Sequence, residues 1–231
     1  MSRYRHIFFD LDHTLWDFRT NSRAVLHDMY AGHGLRALGV PDAETFVTAY
    51  EEVNERLWAR YEAGRMHRDV LRVLRFRDTL ALFGVRDDGL ADRMGHAYLE
   101  LSPNRRALMP GAADLLNDLG RDHKLHIITN GFHEVQVTKL ASSGIARCFQ
   151  VVLTSEQAKA RKPDPRIFAR ALKEAGARAE ESLMVGDDVR TDMGGARNAG
   201  WDHAHFAPEG EPDPLATYRV RSMAELRSIL L

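Results

Sequence analysis

Four short polar stretches in this chain carry side chains that could do chemistry together. They are Asp10-Leu11-Asp12 with Thr14, Thr129-Asn130-Gly131, Lys162-Pro163, and Gly186-Asp187-Asp188 with Asp192. The first follows Ile7-Phe8-Phe9, a run too short for a helix and apolar enough for a buried strand. Carboxylates at the end of a buried strand need a cation or donors, because burying them uncompensated is costly. One reading is a magnesium site that carries a nucleophilic aspartate; the other is a strand followed by an acidic turn. Taken singly, the remaining stretches each have a plain structural reading as well. Thr129-Asn130-Gly131 is a common turn composition, and Gly186-Asp187-Asp188 suits a helix N-terminus. Lys162 competes with Lys159 and Arg161 as one more solvated charge. What joins the stretches is position. The acidic and threonine stretches follow strand cores, and Lys162 precedes a helix, so all can meet beyond the carboxyl ends of a parallel sheet.

The elements that must position them follow from the pattern. From Pro110 onward, helices alternate with short apolar runs at Lys124–Ile128, Phe149–Leu153, Leu183–Val185 and about Trp201–Phe206. Such alternation predicts an α/β fold, a doubly wound parallel sheet covered on both faces. The segment from Trp16 to Leu101 reads instead as helices. Ser22 is expected to cap the first, and Asp42 opens a long one whose Phe46, Tyr50, Val53, Leu57 and Tyr61 share a face. Helices at about Arg68–Phe83 and Leu90–Leu101 complete an inserted all-helical subdomain. Arg68, Arg72 and Arg75 recur on one helix face, expected to be solvated. Ser222 with Glu225 has the spacing of a capping box at the last helix.

Composition narrows the function class. The 231 residues are 44% hydrophobic and 28% charged, as in ordinary globular proteins, and the formal net charge is −1. That balance offers no global field for a nucleic acid polymer or an anionic membrane. No apolar run approaches the roughly 18 residues of a membrane span. The opening Met1-Ser2-Arg3-Tyr4-Arg5 leads straight toward the first strand, so a signal peptide is not expected. The single cysteine, Cys148, excludes an internal disulfide and is expected to be a buried, inert thiol in a cytoplasmic protein.

Together, in order and spacing, Asp10-Leu11-Asp12-His13-Thr14-Leu15, Thr129-Asn130, Lys162-Pro163 and Gly186-Asp187-Asp188 with Asp192 resemble the four motifs of haloacid-dehalogenase-superfamily phosphatases. The resemblance spans essentially the whole chain. It implies a Rossmann-like core of residues 1–16 and 106–231 and an inserted helical cap of residues 17–105. Leu57-Trp58, Tyr61, Gly64-Arg65, Leu71-Arg72, Leu74-Arg75-Phe76 and Leu80 further resemble the bacterial pyrimidine 5′-nucleotidase subfamily.

The resemblance implies a role for each residue. Asp10 attacks phosphorus to form an aspartyl-phosphate, and Asp12 protonates the leaving oxygen and then activates water. Mg²⁺ sits among Asp10, the backbone carbonyl of Asp12, Asp187 and a phosphate oxygen. Asp188 or Asp192 supplies orientation of that shell from behind or a water-mediated contact. Thr129, with backbone N–H groups near Asn130 and Gly131, holds phosphate oxygens, and Lys162 neutralises the crowded anions. Thr14 steadies the loop. Trp16, Arg65 and His67 are candidates for contact with the substrate.

The expected activity is therefore a Mg²⁺-dependent phosphomonoesterase of a small metabolite, foremost a pyrimidine nucleoside 5′-monophosphate. A sugar-phosphate or phosphoglycolate phosphatase shares the same core. Asp12 and the acidic cluster argue against a metal-free dehalogenase, since displacement at carbon needs neither metal nor a leaving-group acid. A mutase shares the core motifs. The non-enzyme alternative is a switch phosphorylated on Asp10, and no feature specifies the oligomeric state.

Overall fold

The computed structural model describes residues 3–231; Met1 and Ser2, placed by the sequence ahead of the first strand, lie outside the described residues. Strand β1 is His6–Phe9, and every one of its residues is buried. Ile7 and Phe9 point into one apolar cluster and Phe8 into another, which is the alternation of a strand with both faces covered. Its parallel partners are β2 (Lys124–Thr129) and β4 (Ser182–Gly186). With β3 (Phe149–Thr154), β5 (Asp202–Phe206) and β6 (Tyr218–Val220), the described residues form one parallel sheet in the order β3-β2-β1-β4-β5-β6. The chain starts at the centre and winds outward both ways. The carboxyl ends of β1, β2 and β4 therefore lie side by side, which is where a ligand crevice forms.

Helices α1 (Phe18–Gly32), α2 (Ala43–Glu62), α3 (Arg68–Leu82) and α4 (Asp88–Leu101) come from the insert. Helices α5 (Ala112–Leu119), α6 (His133–Ser142), α7 (Ser155–Ala158), α8 (Pro165–Ala175), α9 (Gly194–Asn198) and α10 (Met223–Leu230) alternate with the later strands. The described residues fall into two compact units, one formed by the chain through Phe18 with Arg106–Leu231, the other by Arg19–Arg105. The sheet unit is an α/β, doubly wound, Rossmann-like core. The helical unit packs around its own cluster, which includes Leu26, Phe46, Tyr50, Phe76, Met94 and Tyr98. No helix among the described residues is long and apolar enough to cross a membrane.

Caps explain several boundaries. Asp42 accepts from the Thr45 N–H and Asp87 from the Leu90 N–H, opening α2 and α4. Ser222 accepts from the Glu225 N–H at α10. Ser22 departs from expectation. It lies inside α1, buried, with its hydroxyl 2.7 Å from that of Tyr98, so tertiary bonding replaces capping. Arg75 departs from its expected solvated face as well: its guanidinium is buried 4.5 Å from the Tyr98 ring centroid. Cys148 is only half-buried, packed against the sheet unit's core.

Across the sheet, His6 and His126 stack with their Nδ1 and Nε2 atoms 3.1 Å apart, and Phe8 stacks on His126 at 4.5 Å. Burial pushes the His126 imidazole down to about 4 from an ordinary 6.5. Between those values the unfolded chain binds a proton that the native chain refuses, so stability falls as pH drops through this window. The expected outcome is a melting temperature that declines between about pH 6.5 and pH 4, and less steeply in His126→Phe. Equal slopes in the two proteins would contradict it.

Candidate active site

The site begins where β1 ends. Asp10 follows Phe9 directly, and its N–H donates to the Val185 carbonyl of β4, continuing the sheet pairing for one more residue. Leu11 and Leu15 anchor the following turn in the core. Asp10 is thus carried on the stiffest part of the fold rather than on a free loop.

Lys162 meets it from the other side. Its Nζ lies 2.6 Å from Asp10 Oδ1 and 2.6 Å from Asp192 Oδ1, with the lysine and Asp192 side chains almost wholly buried. Asn130 explains how a loop lysine is held so firmly. Its Oδ1 accepts from the Lys162 N–H and its Nδ2 donates to the Lys162 carbonyl, at 2.9 and 3.1 Å. The Asn130 side chain thus clamps the Lys162 backbone, a role separate from the phosphate contact expected of the backbone N–H groups near it. Burial opposes the lysine's charge, but Asp10 and Asp192 outweigh it and hold the ammonium above its ordinary range.

Asp187 completes the cluster. Among the described residues, Asp10, Asp187 and Asp192 each offer a carboxylate oxygen within 4.8 Å of the others. Burial, then the negative charge of Asp10 and Asp192, pushes the Asp187 carboxyl well above the usual range. Burial likewise lifts Asp10 to about 7, even against the opposing pull of Lys162. Three crowded carboxylates facing one ammonium have excess negative charge, and hard oxygen donors suit a hard divalent cation. The donor set fits Mg²⁺. Thr14 Oγ1 donates to Asp187 Oδ1 at 3.0 Å, tying the loop after β1 to the end of β4.

Asp188 and Asp192 part company. The exposed Asp188 accepts from the N–H groups of Arg190 and Thr191, capping the turn that follows. Asp192 turns inward to Lys162 and accepts from the Asp188 N–H at 3.2 Å. Gly186 makes room for it, because a Cβ there would stand 2.3 Å from Asp192 Oδ2.

Asp12 stands apart from the three-carboxylate cluster. Lys139 Nζ donates to its Oδ1 at 2.5 Å and Gln136 Nε2 to its Oδ2 at 2.8 Å. Burial alone would raise its pKa, yet Lys139 and these hydrogen bonds hold the carboxyl below the ordinary range. Gln136 also donates to Thr129 Oγ1 at 3.1 Å, and the Gly131 N–H donates to the same oxygen at 3.0 Å. Thr129 Oγ1 thus accepts twice and keeps its own hydroxyl proton to donate. The Gly131 N–H, expected to hold a phosphate oxygen, is engaged by Thr129.

Trp16 differs most from expectation. It is 0% exposed, packed in the core of its own unit, with Lys139 Nζ 4.3 Å from its ring centroid. A fully enclosed indole offers no face to a base; apolar contacts with the core took it inward. Arg65 is exposed beyond the end of α2, in the helical unit, and His67 stands at the N-cap of α3.

Gln136, Lys139 and His205 were missed by the sequence reading. His205 Nε2 lies 2.8 Å from the Asp187 carbonyl, and its Nδ1 accepts from the Asp213 N–H, which fixes the Nε2 proton toward Asp187. The available signal was modest: polar residues at 136 and 139, on the inward face of a helix where apolar ones were due.

A model of the haloacid dehalogenase-like hydrolase family matches residues 4–200. The chain belongs to the haloacid dehalogenase-like hydrolases. Among its relatives in that family, pyrimidine 5′-nucleotidase PynA of Streptococcus pneumoniae is 33% identical, covering 98% of this chain and 95% of its own. Pyrimidine 5′-nucleotidase YjjG of Escherichia coli is 33% identical over 97% and 96% of the two chains. The crystal structure of the HAD-hydrolase YfnB of Bacillus subtilis, bound to magnesium, superposes with a TM-score of 0.89 at 28% identity, covering 99% of each chain. This haloacid dehalogenase-like chain is an enzyme, a hydrolase.

The packing of Asp192 against Gly186 yields a direct test. Gly186→Ala must displace a buried carboxylate from Lys162, which is expected to destabilise the fold by about 2–4 kcal/mol in denaturant titration. Stability equal to that of the unmodified protein would contradict the assigned packing.

Proposed function

We propose that this hydrolase is a Mg²⁺-dependent phosphomonoesterase of small metabolites, foremost of pyrimidine nucleoside 5′-monophosphates, working through an aspartyl-phosphate on Asp10. The observation that carries the reading is the buried Lys162 ammonium, 2.6 Å from both Asp10 and Asp192, at the edge of an acidic cluster. Such a centre suits a dianionic ester, whose charge needs compensation on all sides.

The residues divide the work. Lys162 holds Asp10 Oδ1, which leaves Oδ2 to attack phosphorus as the ester P–O bond breaks. Asp12, an ionised carboxylate in the free site, takes up a proton with the arriving ester, gives it to the departing oxygen and later takes one from the water that cleaves the aspartyl-phosphate. The Thr129 hydroxyl donates to a phosphate oxygen, on a loop shaped by Asn130 and Gly131. Asp10, Asp187 and the Asp12 carbonyl would hold Mg²⁺, which supplies charge neutralisation across nucleophile and phosphate when bound. Asp192 supports that shell through Lys162, and Asp188 holds the turn between them. These contacts read only phosphate. Discrimination among esters is assigned to the helical unit as a cap, with Arg65 its candidate contact. The nucleotide preference takes its support from PynA and YjjG, both pyrimidine 5′-nucleotidases by name.

A phosphate-release screen over pyrimidine and purine nucleoside 5′-monophosphates, sugar phosphates and phosphoglycolate tests the proposal. Pyrimidine nucleotides should be turned over best, chelation should stop release, and Mg²⁺ should restore it. Asp10→Asn should reduce turnover to background while the protein stays folded, because an amide keeps the shape but not the nucleophile. Asp187→Ala should weaken the apparent Mg²⁺ affinity by about a hundred-fold or more. Preference for a sugar phosphate would overturn the nucleotidase reading alone. Full activity in metal-free buffer, or in Asp10→Asn, would overturn the mechanism.

A further inference from the structure

The two donors on α6 that hold Asp12 do more than the proposed chemistry has so far asked of them. Gln136 and Lys139 stand three residues apart and so share one face of the helix. Both are polar, yet Gln136 is 0% and Lys139 3% exposed. An apolar pair would fill such positions at less cost, since burying an ammonium is unfavourable without a specific partner.

That partner is Asp12, and its two oxygens are held separately. Lys139 takes Oδ1 at 2.5 Å and Gln136 takes Oδ2 at 2.8 Å. One donor would fix a distance; two donors from one rigid helix also fix the plane of the carboxyl. Lys139 is itself constrained, with its Nζ 4.3 Å from the Trp16 ring centroid and 5.2 Å from that of Phe18. Trp16, enclosed beneath the ammonium, thereby gains a purpose that stacking on substrate does not supply. Gln136 ties the same carboxyl to Thr129 Oγ1, and Gly131 yields the space: a Cβ there would fall 1.6 Å from Gln136 Nε2.

We propose that Lys139, with Gln136, is a positioning residue for proton transfer: the pair aims the Asp12 carboxyl at the leaving oxygen. The inference rests on the phosphatase reading above. In that step the bond from Asp10 to phosphorus forms, the bond from phosphorus to the leaving oxygen breaks, and a proton that Asp12 takes up with the arriving dianionic ester passes to that oxygen, leaving the carboxylate that Lys139 and Gln136 hold. A positioned acid matters most where the leaving group is a strong base. An alkoxide from a nucleoside or glycerol needs the proton, whereas p-nitrophenolate departs without it. Loss of positioning must therefore depend on the leaving group, which mere loosening of the fold would not produce.

The experiment compares kcat/KM on uridine 5′-monophosphate, glycerol 2-phosphate and p-nitrophenyl phosphate, since kcat/KM reports the steps through aspartyl-phosphate formation. Lys139→Met keeps the stem that packs on Trp16 and removes the charge. It should lower kcat/KM about 10- to 100-fold on the two alkyl esters and less than about three-fold on p-nitrophenyl phosphate. Placed in Asp12→Ala, the same change should cost less than about two-fold more, because the residue acts through Asp12. If Lys139→Met does not fold, Lys139→Gln, which keeps a donor, should show a smaller loss in the same order. Equal losses on all three esters, no loss on any, or fully additive losses in the double variant would overturn the inference. Failure of the phosphatase reading looks different: the unmodified protein would release phosphate from none of the three, and the inference would fall with it.

Discussion

One buried ammonium organises the centre of this molecule. Lys162 stands between Asp10 and Asp192 at 2.6 Å from each, out of reach of bulk water. Two ionised carboxylates in that place without it would repel one another in a medium that screens poorly. Removing one member of such a group costs about 3–5 kcal/mol, because the others stay buried and unpaired. Much of the neighbouring structure serves the contact. Asn130 grips the lysine's backbone on both sides, and Gly186 leaves room for Asp192 to turn inward. The sheet order places β1 between β2 and β4, so the loops that carry these residues leave the sheet together.

The same arrangement separates two kinds of carboxylate. Asp187 and Asp10 crowd each other, and burial plus repulsion pushes both upward, a strain that a divalent cation relieves. Asp12, two residues past Asp10, faces donors on both oxygens and is held down. Two aspartates in one turn thus meet opposite electrostatic surroundings: Asp10 needs a neighbouring cation to stay ionised as a nucleophile, whereas Asp12 is already held as a carboxylate that can take a proton from water. Burial of Asp10, and the Lys139 and Gln136 donors on Asp12, set that difference.

Much of this was legible in the sequence because strand ends are legible. An apolar run that stops at a carboxylate marks both the element and the edge at which it ends, so Asp10, Asp12, Thr129 and Asp187 could be placed together. The parallel sheet followed from the alternation of helices and strands. What stayed hidden depended on packing between distant elements. Trp16 has the composition of a ligand platform, and only the surrounding core shows that its ring is enclosed. Ser22 has the composition of a cap, but Tyr98 takes its hydroxyl. Arg75 looks solvated by its spacing, yet it is buried with the Tyr98 ring of another helix over its guanidinium. Lys139 and Gln136 sit in a helix of weak amphipathic pattern, where polar residues read as surface until the partner at Asp12 is seen.

The central claim is that the oxygen of Asp10, held opposite Lys162, forms the bond to phosphorus. An acyl phosphate is reduced by borohydride to the alcohol, which converts a phosphorylated aspartate into homoserine. Protein quenched with borohydride during turnover of a phosphate ester, then digested and sequenced by mass spectrometry, reports the modified position. The account predicts homoserine at position 10, dependent on substrate and absent from Asp10→Asn. Turnover with no homoserine at position 10, or with homoserine at position 12 or 187 instead, would contradict it.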